Sequence, residues 1–403
     1  MADRCDIAVI GGGVMGLALA VHLLEAGAGD VRLVERDTVG EGTTAAGGGF
    51  LGDWAPYEQE SAAARYGRAF YARLQEEGDD IGYRSDGMMY VAAGEAVWQE
   101  LIAWQTGTPL SAAEVERVTD GAVPADNVRG GVLISDGGQV HAPKVATALA
   151  KRFRAGGGRL DTRRPVTAIS TAKGRVRAVE TTAGPITCGA VVVAAGAWSG
   201  ALTRDLGFFL PAAPQVTSRV STEPLDIPGT LPLLFLTGLT SDEPGGGTLL
   251  WVREHEGGLL WGGTYATFPR DVLIDAPVPD RLDELPIDGV LEILRIAGLG
   301  ALVMPALARR SRLRIKHGAP CHTPDSRALI GPVPGVEGVY VLAGDNEAGI
   351  TYGPGYGKAL ADHITRGTPL DQWRPDRFGD RFTTQRQVVD ALKAAEAASV
   401  PPA

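Results

Sequence analysis

The sequence predicts an α/β fold, with a Rossmann-like nucleotide-binding domain and a second region built on an antiparallel sheet. Three observations carry this expectation. An apolar strand at residues 6–10 runs into Gly11-Gly12-Gly13-Val14-Met15-Gly16 and then into a Leu/Ala/Val stretch of helical length at residues 17–24. A second strand, Val31–Val34, ends in Glu35, about twenty residues beyond the glycines. Between about Pro211 and Pro320, apolar strands are punctuated by proline, the pattern of antiparallel pairing.

Gly11, Gly13 and Gly16 fit G-x-G-x-x-G, where glycine permits a tight turn, close approach of backbone to a pyrophosphate, and close packing of helix on strand. The helix that follows, with Val14 and Met15 at its start, turns free N–H groups and the positive end of its dipole towards a phosphate. Glu35 can accept hydrogen bonds from an adenosine ribose, whereas an NADP site favours a basic group there. Without a ligand, the same residues would make an ordinary βαβ unit with a surface carboxylate.

Residues 40–50 are too rich in glycine for a regular element. Their hydroxyls and amides suit diphosphate oxygens, and the glycines let backbone approach a flat ring. Helical patterning over 61–77 and a strand over 87–92 follow. Residues 136–143 lead a helix through about Ala155, with Pro143 in its first turn. Strands are expected at 164–169, 175–181 and 190–196, the last entering Ala197-Trp198-Ser199-Gly200. Strands at 248–252 and 258–263 belong to the antiparallel sheet. A last buried strand at 338–344 precedes a helix through about Ile364, and the Ala/Pro-rich end after Asp390 reads as a short helix and a frayed tail.

At 403 residues the chain can bury two or three domains' worth of core. A formal charge of −10 argues against nucleic acid or an anionic membrane as partner. Cys5, Cys188 and Cys321 are widely spaced, with neither a disulfide nor a metal-ligand pattern, and no apolar run has the length of a membrane span. No signal segment precedes the first strand, so the expected setting is the reducing cytoplasm.

Four pieces stand in one order: the glycines with Glu35; Gly42-Thr43-Thr44; Val191-Val192-Val193-Ala194-Ala195-Gly196-Ala197-Trp198; and a C-terminal series of Thr323-Pro324-Asp325, Ile330-Gly331-Pro332, Ala343-Gly344 and Gly349-Ile350-Thr351. Together they resemble the FAD-dependent amine and amino-acid oxidase family that includes D-amino acid oxidase, glycine oxidase and sarcosine oxidase, over nearly the whole chain. The resemblance implies FAD as cofactor, in a discontinuous domain of residues 1–85, 136–210 and 321–390. It assigns 86–135 and 211–320 to a substrate domain and leaves 391–403 as a tail. It implies Glu35 on the ribose, Arg36 and Val166 near the adenine, and Thr43 and Thr44 by the diphosphate. Gly349, Ile350 and Thr351 would border the isoalloxazine, with Gly49, Phe50, Ala195, Gly196, Trp198 and Gly344 as further cofactor contacts.

The chain also departs from that family. Its two positions for covalent flavin attachment are here Ala46 and Gly318, so FAD is expected to bind non-covalently, with Cys321 a small buried or pocket residue. Its substrate-carboxylate clamps fall on Pro320 and Thr351, neither of which carries a charge. Arg327, His322, His317, Lys316 and Arg270 are possible replacements. Asp345 and Glu347 could hold a cationic amine, or could face solvent or cap the following helix. Trp54, Tyr57, Tyr265, Tyr352 and Tyr356 could wall a substrate pocket, Tyr352 foremost because it follows Thr351 directly.

The expected chemistry is hydride removal from a carbon bearing an amine, giving an imine, with oxygen or an electron carrier as acceptor. Two alternatives remain: oxidation of a C–O bond in a 2-hydroxy acid, and a non-catalytic flavin-fold subunit of a larger dehydrogenase.

Overall fold

The structure, a computed structural model, describes residues 3–54, 57–240, 249–263, 268–274, 278–285, 287–309 and 312–399. Tyr265 lies outside the described residues.

Among the described residues there are two eight-stranded sheets. The first runs, in spatial order, Leu329–Pro332, Val339–Ala343, Ile186–Val193, Arg4–Ile10, Val31–Val34 and Arg159–Asp161. From Val339–Ala343 to Arg159–Asp161 every pairing is parallel. Its middle strands are apolar because helices cover one face and the hairpin Val166–Ala172/Arg175–Thr181 joins the sheet beside Ile186–Val193. Helix Val14–Glu25 packs between helices Ala142–Ala155 and Gly349–Arg366, and helix Glu58–Glu76 packs on Gly349–Arg366 from the other side. Glycine allows these approaches: a Cβ on Gly357 would stand 2.7 Å from the Leu19 nitrogen, and one on Gly355 would stand 2.6 Å from the Ala63 Cα. Pro143 does begin a helix, whose cap is the His141 ring, Nδ1 accepting from the Lys144 N–H at 3.3 Å.

The second sheet runs Leu313–Gly318, Thr217–Thr222, Gly258–Gly263, Leu250–His255, Leu233–Thr237, Met88–Ala92, Gly130–Ile134 and Thr108–Ser111. It is antiparallel except between Leu233–Thr237 and Met88–Ala92, which run parallel. One face of this sheet closes over the C-terminal ends of the parallel strands.

The end of the chain carries the helix read from its sequence, and it begins before Asp390. The last helix runs Gln385–Ser399, and Val388, Val389 and Leu392 bury a face against Ala213 and Phe382. That spacing makes an apolar stripe, which the Ala-rich composition masks.

Candidate active site

The nucleotide end of the site is built by close backbone approach. Gly11 has φ +111°, and a Cβ there would stand 2.3 Å from the Ala194 carbonyl oxygen, on the neighbouring strand. A Cβ on Gly16 would stand 2.1 Å from the Gly11 oxygen. Only glycine lets the turn pass between strand and helix here. The Glu35 carboxylate accepts from the Gly12 N–H at 2.6 Å and from the Asp37 N–H at 2.8 Å, which aims it at the turn. Thr44 Oγ1 accepts from the Val14 N–H at 3.1 Å, on the positive end of the first helix. The Thr43 hydroxyl bonds elsewhere: it accepts from the Ala319 N–H at 3.0 Å and ties the loop to the second sheet. Arg36 stacks 4.2 Å over the Trp198 ring and donates to the Asp280 carbonyl at 2.6 Å.

From these groups a single cleft of about 1450 Å³ extends to the second sheet. Every cofactor residue singled out from the sequence lines it except Gly344, whose positive φ of +73° instead turns the chain against Thr323. The cleft's length, its glycine turn at a helix N-terminus and its carboxylate one strand away fit an extended dinucleotide such as FAD. At the far end, Gly49 has φ +78° and a Cβ there would stand 2.0 Å from the Val140 oxygen. Thr351 Oγ1 donates to the Phe50 carbonyl at 2.7 Å, and the buried Tyr71 hydroxyl donates to the Ile350 carbonyl at 2.8 Å. These bonds hold the start of helix Gly349–Arg366 against the glycine loop.

Beyond that point the walls are aromatic. Phe50 meets Trp251 edge to face at 4.7 Å and Phe235 at 5.9 Å, Tyr90 stacks on Phe235 at 4.7 Å, and Trp54 Nε1 donates to the Tyr90 hydroxyl at 3.0 Å. The Trp54 N–H donates to the Tyr352 hydroxyl at 3.4 Å. Trp54 and Tyr352 therefore both line the cleft, whereas Tyr57 lies under Arg327 and Tyr356 packs on Trp373, both outside it. Tyr90 and Phe235 escape the sequence reading, because nothing local marks their strands as facing a ligand.

Two opposite charges stand in this aromatic end. Arg219, 8% exposed, lies over the Trp251 ring at 4.8 Å and donates to Thr217 Oγ1 at 2.7 Å and to the Ser218 carbonyl at 2.9 Å. Glu347, held at φ +64°, lines the same cleft; burial raises its proton affinity, against the pull of Arg219 and Arg270. Asp345 also faces the cleft but is otherwise enclosed, and burial pushes its carboxyl up to about 6 although it accepts from the Cys321 N–H at 2.9 Å. Neither carboxylate caps the next helix, whose N-cap is Ala348 with no side-chain bond.

Of the residues considered for a carboxylate clamp, Arg270, Lys316 and His322 line the cleft. Arg270 pairs with Glu396 of the last helix, and burial together with Arg270 lowers His322 to about 3, so it is neutral. Lys316 pairs with Glu41 at 2.6 Å, His317 bonds Ser218 at 2.6 Å away from the cleft, and Arg327 serves Gln59 and Glu60. Arg219, which also lines the cleft, was not among the candidates read from the sequence.

Outside the cleft, His141, His255 and Glu256 approach one another closely enough to suggest a metal. Their hydrogen bonds argue otherwise. His141 Nδ1 accepts from the Lys144 N–H and His255 Nδ1 accepts from Arg253 Nη2 at 3.4 Å, so each ring carries its proton on Nε2, where a metal would bind.

Residues 6–363 match the FAD dependent oxidoreductase (DAO) family. The chain is 26% identical over 378 residues to 4-methylaminobutanoate oxidase (formaldehyde-forming) of Paenarthrobacter nicotinovorans, with 90% of this chain and 44% of that protein covered. It is 28% identical over 396 residues to the mitochondrial pyruvate dehydrogenase phosphatase regulatory subunit of Mus musculus, covering 93% of this chain and 43% of that one. The chain thus spans about half the length of these curated relatives. Among solved structures it resembles glycine oxidase from Geobacillus kaustophilus, with TM-score 0.76, 25% identity, and coverage of 93% of this chain and 99% of that one.

Proposed function

The chain belongs to the family of FAD-dependent oxidoreductases, and on that premise we propose that it oxidises the C–N bond of a small amine that also carries a carboxylate. The observation that carries this reading is that Arg219 and Glu347 both line the aromatic end of the cleft. Opposite charges at fixed positions match a zwitterion, and Arg219 replaces from a different strand the clamp missing at Pro320 and Thr351.

Held by the Gly11 turn, Thr44 and Glu35, FAD would supply a hydride acceptor in the cleft. The rest of the work falls to side chains. Phe50, Trp54, Tyr90, Phe235, Trp251 and Tyr352 exclude water and favour a cation over their ring faces. Glu347, with its raised proton affinity, takes the ammonium proton and frees the nitrogen lone pair. As that pair forms the C=N bond, the C–H bond would break with both its electrons passing as hydride to the bound flavin, and the iminium ion left behind would be open to hydrolysis by water. Thr44, Glu35 and the Gly11 turn serve the nucleotide. Non-covalent binding of FAD follows from Ala46 and Gly318 and from Cys321, which is buried in the core away from the cleft lining. Oxygen or an electron carrier reoxidises the protein, in the cytoplasm and without nucleic acid; no described helix is long and apolar enough to cross a membrane.

A second reading, a subunit that keeps FAD without turning over substrate, is favoured by the likeness to a regulatory subunit. Anaerobic mixing of the FAD-loaded protein with N-alkyl amino acids, simple amines and 2-hydroxy acids separates the readings. Bleaching of the flavin band by amino acids is expected. Bleaching by hydroxy acids alone would replace the reading with C–O oxidation, and a spectrum unmoved by every compound would favour the non-catalytic subunit.

A further inference from the structure

The same sheet face continues past Arg219 into a second, smaller pocket of about 290 Å³. Its chemistry is opposite to that of the acidic chain around it. Register explains why. Arg314, Ser221, Leu260 and Arg253 pair in turn across four neighbouring strands, so they form one transverse row on one face. Lys316 pairs with Arg219 in the row beside it. Three strand spacings, about 14 Å, separate the ends of the first row, a gap that two arginine side chains can close on a small ligand between them. Among the described residues, no Asp or Glu belongs to the pocket lining.

Arg253 is the informative member. It is 5% exposed, and its Nη1 donates to Gln139 Oε1 at 3.0 Å. Its Nη2 donates to His255 Nδ1 at 3.4 Å; among the described residues its buried Nε has no hydrogen-bond partner and its guanidinium forms no ion pair. Burial lowers its pKa only to about 10, so it stays cationic at neutral pH. A buried guanidinium with a spare donor and no carboxylate is costly unless something else completes it.

We propose that this pocket binds a small oxyanion, held by Arg253 and Arg314 across Ser221 and separated from the main cleft by Arg219. The site is independent of the amine reading, because it lies outside the FAD cleft and makes no use of Glu347. Its ligand chemistry is a compact set of acceptor oxygens, which inorganic phosphate and a short carboxylate both present.

The test is isothermal titration of the FAD-loaded protein with inorganic phosphate and, separately, with acetate, in a buffer free of other oxyanions. Loading with FAD closes the diphosphate site to the probe. Saturable one-to-one binding is expected, weakened about tenfold or more in Arg314→Gln, which loses one charge-assisted contact, and abolished in Ser221→Asp, which sets a carboxylate in the row. Arg314 is exposed and Ser221 only half-buried, and an unchanged flavin spectrum and thermal midpoint confirm that both variants fold. Binding of phosphate alone or acetate alone supports the site and identifies the source. Absence of saturable binding by either, or equal affinity in wild type and both variants, overturns it.

Discussion

Arg219 lies 4.8 Å over the ring of Trp251, and the strand between theirs contributes Gly262, which pairs with Trp251 and whose missing Cβ would stand 2.6 Å from that ring. The glycine gap lets the indole lie flat on the sheet and so gives the guanidinium a surface to stack on. Arg219→Gln removes both the charge and the stack. The expected result is a KM for a carboxylate-bearing amine raised about tenfold to a hundredfold, with kcat changed less and FAD content unchanged. Steady-state kinetics against amines with and without a carboxylate check it, because the simple amines should be affected least.

Glu347→Gln keeps the shape of the cleft and removes the proton acceptor. A fall of about 10²-fold or more in kcat/KM for amines is expected, with flavin binding intact. The pH profile discriminates a chemical role from a packing one: a base role predicts that the acidic limb of kcat/KM attributable to Glu347 disappears in the variant.

Gly11→Ala would force a Cβ to within 2.3 Å of the Ala194 oxygen at a φ of +111°. Destabilisation of about 1–3 kcal/mol or more is expected, together with loss of FAD, since the turn must open to relieve the clash. The ratio of flavin to protein absorbance, with the thermal midpoint, measures both.

Asp345 gives a pH dependence of defined sign. Burial raises its folded-state pKa to about 6 from a reference of 3.8, so the folded chain holds the proton more tightly than the unfolded one. Stability from this group is present below the reference value and is lost as pH rises through about 6. In the FAD-free protein, Asp345→Asn should therefore gain on wild type between pH 4 and 7, by on the order of 1–3 kcal/mol. Thermal midpoints of both proteins across that range decide it; a difference that does not grow with pH would remove Asp345 as the source.

The nucleotide end is legible in the sequence because its chemistry is local: the glycines, Val14 and Glu35 sit within one βαβ unit. The two threonines are adjacent in sequence, yet only contact with the Ala319 N–H separates the role of Thr43 from that of Thr44. The substrate end is written in residues that meet only through long-range pairing. Thr-Ser-Arg-Val-Ser-Thr over Thr217–Thr222 has no apolar face to orient it, so the exposure of Arg219 to the cleft is set by its neighbours in the sheet. Tyr90 and Phe235 stack through a parallel pairing between segments more than a hundred residues apart. Asp345 and Glu347 sit where caps are common, and the bend at Asn346 and Glu347, both with positive φ, turns them into the cleft.

The interleaving of the first sheet also bears on how the chain is made. Strand Arg4–Ile10 and helix Val14–Glu25 emerge first, but helix Gly349–Arg366, against which that helix packs, and strand Val339–Ala343 follow more than three hundred residues later. At ~5–20 residues per second, the glycine turn waits roughly 15–70 s for its covering elements. During that interval an apolar helix stands half-clothed on the ribosome. Yield of the intact flavoprotein should then depend on holding that nascent segment apart from others, more than on the stability of the finished fold.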